Sequence, residues 1–108
     1  MFVPGLLVGS AGVIGASVNL LPKVHARLLE HWKAGNVEEA LQLQSLLVHG
    51  DWLVKSAGGI GGLKAIITRE FGYGNTRVRG PLIPPLPAKI DALASTKLQE
   101  LLVMEKSL

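Results

Sequence analysis

The chain opens on an apolar stretch with no clear period and turns, from Leu20 onward, into a succession of helical stripes. Residues Met1 to Pro22 carry no charged side chain, and the first charge is Lys23. Glycine, proline, serine and asparagine interrupt this stretch. Val3 to Val8 read as the end of a helix, with Gly9 in the position that favours a left-handed backbone. Gly12-Val13-Ile14-Gly15 reads as part of a short strand over 12–16, covered on both faces. Val24, Arg27, Leu28 and Trp32 then fall at spacings of three and four, which predicts a helix over about 21–33. Pro22 suits its first turn and Gly35 its left-handed stop.

A second helix is predicted from about Val37 to Ala57. Asn36 is its expected N-cap, and Glu38 and Glu39 suit the positive end of the helix dipole. Val37, Leu41, Leu47 or Val48, and Trp52 form its stripe. Leu43, Leu46 and Leu53 widen that stripe beyond one face, so this helix is expected to be contacted on two sides. The run Gly58-Gly59-Ile60-Gly61-Gly62 ends it. A third helix follows near Leu63 to Phe71, carrying Ile66 and Ile67. Residues 72–87 read as a loop with Pro81, Pro84, Pro85 and Pro87. A last helix, about 88–106, presents Ile90, Leu93, Leu98, Leu101 and Leu102. One strand among these helices has no partner within the chain, and strand backbone groups need one.

Composition sharpens that reading. The 108 residues hold 11 Lys+Arg and 8 Asp+Glu, a net charge of +3, with 48% apolar and 18% charged residues. A typical domain carries about 25% charged residues. The chain is too apolar to be disordered and has the length of one domain at most. With no cysteine, disulfides, thiolate-bound metals and thiol catalysis are excluded. The mean hydropathy of +0.37 is high for a small domain, whose large surface calls for polar residues. Either part of the chain enters a membrane or it packs against further protein. A membrane helix needs about 20 apolar residues. Gly5 and Gly9 have the spacing of helix packing in lipid, yet within residues 1–22 no run free of Gly, Pro and polar residues exceeds three. A basic leader of a signal peptide is missing too.

Candidate chemistry is sparse. His25, His31 and His49 lack metal-site spacing, and His25 and His31, six apart on one helix, read as surface residues. Ser10, Ser17 and Ser45 lack a nucleophile elbow. Asp51 reads as a polar-face residue beside a core Trp52. The glycines at 58–62, followed by Lys64, fit no phosphate-loop pattern and read as a tight helix–helix connection. Lys64, Arg69, Arg77 and Arg79 gather around Phe71 and Tyr73, with Glu70 among them. Without a basic run they read as structural or subunit contacts rather than phosphate contacts. The prolines read as a rigid connection rather than a polyproline ligand.

Five segments in order carry a resemblance. They are the small-residue run Gly5 to Asn19; Lys23 in the helix after it; the step Ala34-Gly35-Asn36 through Ala40; Gly59 to Lys64 with Phe71-Gly72-Tyr73-Gly74; and Arg79-Gly80-Pro81-Leu82. Together they resemble the dihydrodipicolinate synthase / N-acetylneuraminate lyase family of class I aldolases, from about Phe2 to Met104. The fourth segment looks like the subgroup acting on 4-hydroxy-2-oxoglutarate or 2-keto-3-deoxy sugar acids. The implied fold is a (β/α)8 barrel with a C-terminal helical extension. A barrel takes about 250 residues, so this chain is expected to hold only its last strand–helix unit plus the extension, and to be mainly α. Residues 1–34 are then the remnant of the last barrel unit and 35–108 the extension.

The implied chemistry is carbon–carbon lyase chemistry on a small 2-oxo acid. A barrel lysine forms a Schiff base whose protonated imine takes up electrons, with no cofactor and no metal. In the family that lysine, an assisting tyrosine and the carboxylate-holding loop lie on earlier strands. No catalytic residue is therefore expected here: Lys23, Lys33, Lys55 and Lys64 lie on or beside helices, and Tyr73 lies in the extension. Barrel sites sit at the C-terminal ends of strands, which leaves Ile14, Gly15 and Ala16 as a substrate-pocket wall. The sialic-acid branch has a substrate-binding serine where this chain has Ala16. The expectation is the C-terminal part of a 2-oxo acid aldolase, inactive alone, cytoplasmic and homo-oligomeric at full length, without nucleic-acid or membrane partners. The alternative is a small helical interaction or membrane-associated module that uses residues 1–22 as an anchor.

Overall fold

In a computed structural model of residues 1–108 the chain is built from helices, and no strand forms. The helices are α1 (Phe2–Leu7), α2 (Pro22–Lys33), α3 (Val37–Ser56), α4 (Gly59–Phe71), α5 (Pro87–Asp91) and α6 (Lys97–Ser107). Single 3-10 turns occupy Ala16–Asn19 and Ala92–Ser95. The ends of α1 and α2 follow the local signals. Gly9 and Gly35 take positive φ, +89° and +80°, and Pro22 opens α2.

The short strand expected at 12–16 is not formed. Residues 10–15 have no regular structure, and Gly15 is extended, with φ −156° and ψ 153°. The physical cause is the one anticipated: a strand's N–H and C=O groups need a neighbouring strand, and no other segment of the chain supplies one.

Two further boundaries differ from expectation. The helix predicted near Leu63 starts at Gly59. Glycine weakens a helix interior by about 1 kcal/mol, which is why the run resembles a loop in sequence. Packing overrides that cost. At Gly62 a Cβ would lie 2.9 Å from the Ala57 carbonyl carbon and oxygen, so only glycine lets α4 fold back against the end of α3. The last predicted helix is broken at Thr96, where φ −113° and ψ 171° leave the helical region. There the Thr96 amide and hydroxyl both donate to the Leu93 carbonyl, at 3.2 and 2.7 Å. The threonine side chain thus competes with the helix for a backbone acceptor.

Helix α3 is the centre of the packing and touches α1, α2, α4 and α6. One buried cluster joins Leu20, Leu21, Val24 and Leu28 to Ala40, Leu47 and Val54 of α3 and to Leu98, Leu101 and Leu102 of α6. Gly50 lets α6 approach closely: a Cβ there would stand 2.7 Å from Leu101 Cδ1. The stripe assigned to α3 from the sequence is only partly its core. Ala40, Leu47, Gly50 and Val54 are buried, whereas Val37, Leu41, Val48 and Trp52 face outward, Trp52 being 70% exposed.

Side chains from distant segments satisfy two helix starts. The Glu105 carboxylate of α6 accepts the amides of Lys23 (3.1 Å) and Val24 (2.9 Å) at the start of α2. It is only 3% exposed. Gln44 Oε1 of α3 accepts the amides of Phe2 and Val3, each at 2.8 Å. No helix is long and apolar enough to cross a membrane.

Replacing Glu105 by alanine strands the buried amide of Val24 and the half-buried amide of Lys23 and removes charge-assisted bonds, each worth about 1.5–3 kcal/mol. Glu105→Ala is expected to lower the stability in urea unfolding by about 3 kcal/mol. Glu105→Gln, which keeps one acceptor oxygen, is expected to lose less.

Candidate functional site

The irregular run after α1 and the second half of α3 enclose a groove of about 340 Å³. Its first wall is the chain from Val13 to Val18. The Asn19 amide group donates to the Ala16 carbonyl at 3.2 Å, and the Val18 amide to the Gly15 carbonyl at 3.3 Å, which curls this wall into its 3-10 turn. The opposite wall is Gln44, Leu47, Val48, Asp51, Trp52 and Lys55 of α3, and Met1, Phe2 and His25 complete the lining.

Ile14, Gly15 and Ala16 lie together on the first wall. The Ile14 side chain is fully exposed rather than covered on both faces, because no strand flanks it. His25 departs from its expected surface position and is 8% exposed. Its Nδ1 lies 2.7 Å from the Leu21 carbonyl. A carbonyl only accepts, so Nδ1 is the donor of this bond. The Phe2 ring lies beside it, with centroids 6.3 Å apart. Sequence spacing missed this residue because burial of the α2 face depends on α1, whose position Gln44 fixes. Trp52, expected in the core, instead stands at the groove's open side.

The groove's polar groups are tied up separately. Lys55 pairs with Asp51 at 2.9 Å, and His25 bonds back to its own helix. No hydrogen bond links Ser17, His25 and Asp51 into a proton relay. Nor does any group of three His, Cys, Asp or Glu stand close enough to hold a metal ion.

Two of the four basic residues expected around Phe71, Lys64 and Arg69, have structural partners, and Lys106 joins them. The Lys64 ammonium donates to the Arg77 carbonyl. Arg69 donates to the Ile90 carbonyl at 2.8 Å and pairs with Glu70 at 2.9 Å. Lys106 pairs with Glu70 at 3.0 Å and lies 5.8 Å above the Phe71 ring. This set ties α4 to α5 and α6.

The structure thus joins a helical fold to a groove with Gly15, Ala16 and Ser17 in one wall. Comparison gives the family. Residues 1–99 match the dihydrodipicolinate synthetase family, and the chain belongs to it. It is 35% identical over 82% of its length to a probable mitochondrial 4-hydroxy-2-oxoglutarate aldolase of Emericella nidulans, 28% of which is covered. It is 33% identical over 95% of its length to an L-threo-3-deoxy-hexylosonate aldolase of Hypocrea jecorina, with 32% of that protein covered. A 2-dehydro-3-deoxy-phosphogluconate/2-dehydro-3-deoxy-6-phosphogalactonate aldolase of Sulfurisphaera tokodaii is 29% identical over 78% of the chain, with 29% covered. The chain thus spans less than a third of the length of these relatives. No solved structure matches it.

Burial alone would raise the Glu70 pKa. The hydrogen bonds and charges of Lys106 and Arg69 outweigh burial and hold it below its ordinary value of 4.5. A carboxyl depressed in the folded state contributes stability that is fully present above its unfolded pKa. That contribution is lost as pH falls through the folded value. Stability in urea is therefore expected to decline from about pH 5 to about pH 3, and Glu70→Gln is expected to flatten that decline.

Proposed function

We propose that this chain is the C-terminal part of a Schiff-base-forming aldolase acting on 2-oxo acids, and that on its own it carries no lyase activity. The reading rests on the family match over residues 1–99 together with relatives named as aldolases. In this reading residues 1–34 belong to the last barrel unit and residues 35–108 to the helical extension. Ile14, Gly15 and Ala16 form one wall of the substrate pocket, at the end of the segment that becomes the last strand once a neighbouring strand is present. The assembled enzyme is cytoplasmic and homo-oligomeric.

The chemistry of the lysines supports the inactive half of the proposal. A Schiff-base lysine is activated by a desolvated pocket or a neighbouring cation. Lys55 instead has a carboxylate at 2.9 Å, and Lys64 spends its ammonium on a backbone carbonyl. Lys23 and Lys33 stand at exposed ends of α2. None of these four has the setting of a carbonyl-attacking amine.

Treatment of the chain with pyruvate and borohydride is expected to leave every lysine unmodified by mass spectrometry. A stable adduct on any of them contradicts the proposal. Joined in frame behind the preceding part of the Hypocrea jecorina relative, the chain is expected to support trapping on a lysine outside these 108 residues. A folded chimaera that traps no pyruvate counts against the aldolase assignment.

A further inference from the structure

The connection between α4 and α5 ends in Ile83-Pro84-Pro85-Leu86-Pro87. Proline rings fix φ at three of these five positions. A proline also drives the residue before it into extended backbone, which here acts on Ile83, Pro84 and Leu86. Both constraints favour the polyproline II conformation, with φ about −75° and ψ about +145°. Leu86 has φ −64° and ψ 133°. The amides of Ile83 and Leu86 donate to no backbone carbonyl, and the carbonyls of Pro84 and Pro85 accept from no backbone amide. That too is polyproline II behaviour, since this helix has no internal hydrogen bonds.

We propose that residues 83–89 are a docking motif for a partner domain with an aromatic-lined polyproline groove flanked by acidic side chains, as in SH3 domains. The proposal does not depend on the aldolase reading. Three observations select this occupant. The first is which edge faces outward. A polyproline II helix has three residues per turn, so Pro85 takes one edge and the pairs Ile83-Pro84 and Leu86-Pro87 share the other two. Pro85 is half-buried and packs on the start of α4. There, Cβ atoms on Gly58 and Gly61 would stand 3.3 and 3.1 Å from its ring. Ile83 and Leu86 are 82% and 66% exposed, and Pro84 and Pro87 are exposed beside them. The fold thus holds the motif by its one inner proline and presents both apolar–proline pairs.

The second observation is order. Aromatic grooves recognise this conformation because a preformed ligand loses little entropy on binding. Here proline chemistry sets the conformation, and the contact of Pro85 with α4 holds it in place. The third is charge. Lys89, two residues beyond Pro87, is exposed and takes part in none of the structure's ion pairs. Two residues before Ile83, the matching place at the other end holds the neutral Pro81. An acidic group beside the groove therefore finds its counter-charge at one end only, which fixes the direction of docking.

Nuclear magnetic resonance on the labelled full chain tests this. The probes are a set of isolated SH3 domains with Asp or Glu beside the aromatic groove, and an isolated WW domain. At least one SH3 domain is expected to bind with a Kd below about 100 μM, shifting the amides of Ile83, Leu86 and Lys89 but not that of Trp52. Leu86→Glu and Lys89→Glu are each expected to weaken binding at least about tenfold, with far-ultraviolet circular dichroism unchanged because both side chains are exposed. Lys89→Arg and Trp52→Glu are expected to leave it intact. If no SH3 domain in the set moves these amides at about 1 mM, the proposal is overturned. It is also overturned by binding to the WW domain alone, by shifts centred elsewhere, or by binding indifferent to Leu86→Glu or Lys89→Glu.

Discussion

Glu105 accepts the first two amides of α2 from a position 82 residues away from Lys23, and the arrangement of the other helices follows from that contact. The start of an α-helix presents unpaired N–H groups and a positive dipole end. A carboxylate placed there loses its water at tolerable cost, because the amides replace the hydration with charge-assisted bonds. Once α6 is held over the start of α2, Leu98, Leu101 and Leu102 face Leu20, Leu21 and Val24. Gly50 then supplies the clearance that brings α3 against α6. Gln44 repeats the device for α1. The N-terminal segment and the last helix are therefore joined by buried polar contacts as well as by apolar packing.

That architecture places the groove. Gln44 and the Phe2–His25 pair hold the end of α1 beside α3, so the run carrying Ile14, Gly15 and Ala16 lies opposite Val48 and Trp52. Of the groove's polar groups, Lys55 pairs with Asp51 and His25 bonds back to its own helix. The chain belongs to the dihydrodipicolinate synthetase family and spans less than a third of the length of its aldolase relatives. The apolarity that first suggests a membrane has a concrete location in the fold. Part of it is the open face of α3 together with Val13 and Ile14, and more lies at Leu7, Val8, Ile60, Ile83 and Leu86.

Most helix ends were legible in the sequence because they are set by neighbours: Gly9, Pro22, Gly35 and Glu38 each act within a turn. The resemblance to the family was legible for a similar reason, since five short segments keep their order and spacing. What escaped were effects that depend on distance. Neither Glu105 nor Gln44 differs in sequence from an ordinary surface residue, because the amides they cap lie 41 to 82 residues away. The two apolar faces of α3 were visible as excess width, but periodicity does not say which face is covered, so Trp52 was assigned to the core. The strand at 12–16 failed because strand formation is a property of a pair. The start of α4 at Gly59 was hidden by glycines that matter for clearance rather than flexibility.

The account makes α2 and α6 one cooperative unit held together through Glu105. Native-state hydrogen exchange reads this at single amides. The amides of Lys23 and Val24 are expected to exchange only with global unfolding, with the same opening free energy and denaturant dependence as those of Leu101 and Leu102. Exchange of Lys23 and Val24 through a smaller opening, while the α6 amides stay protected, would contradict it.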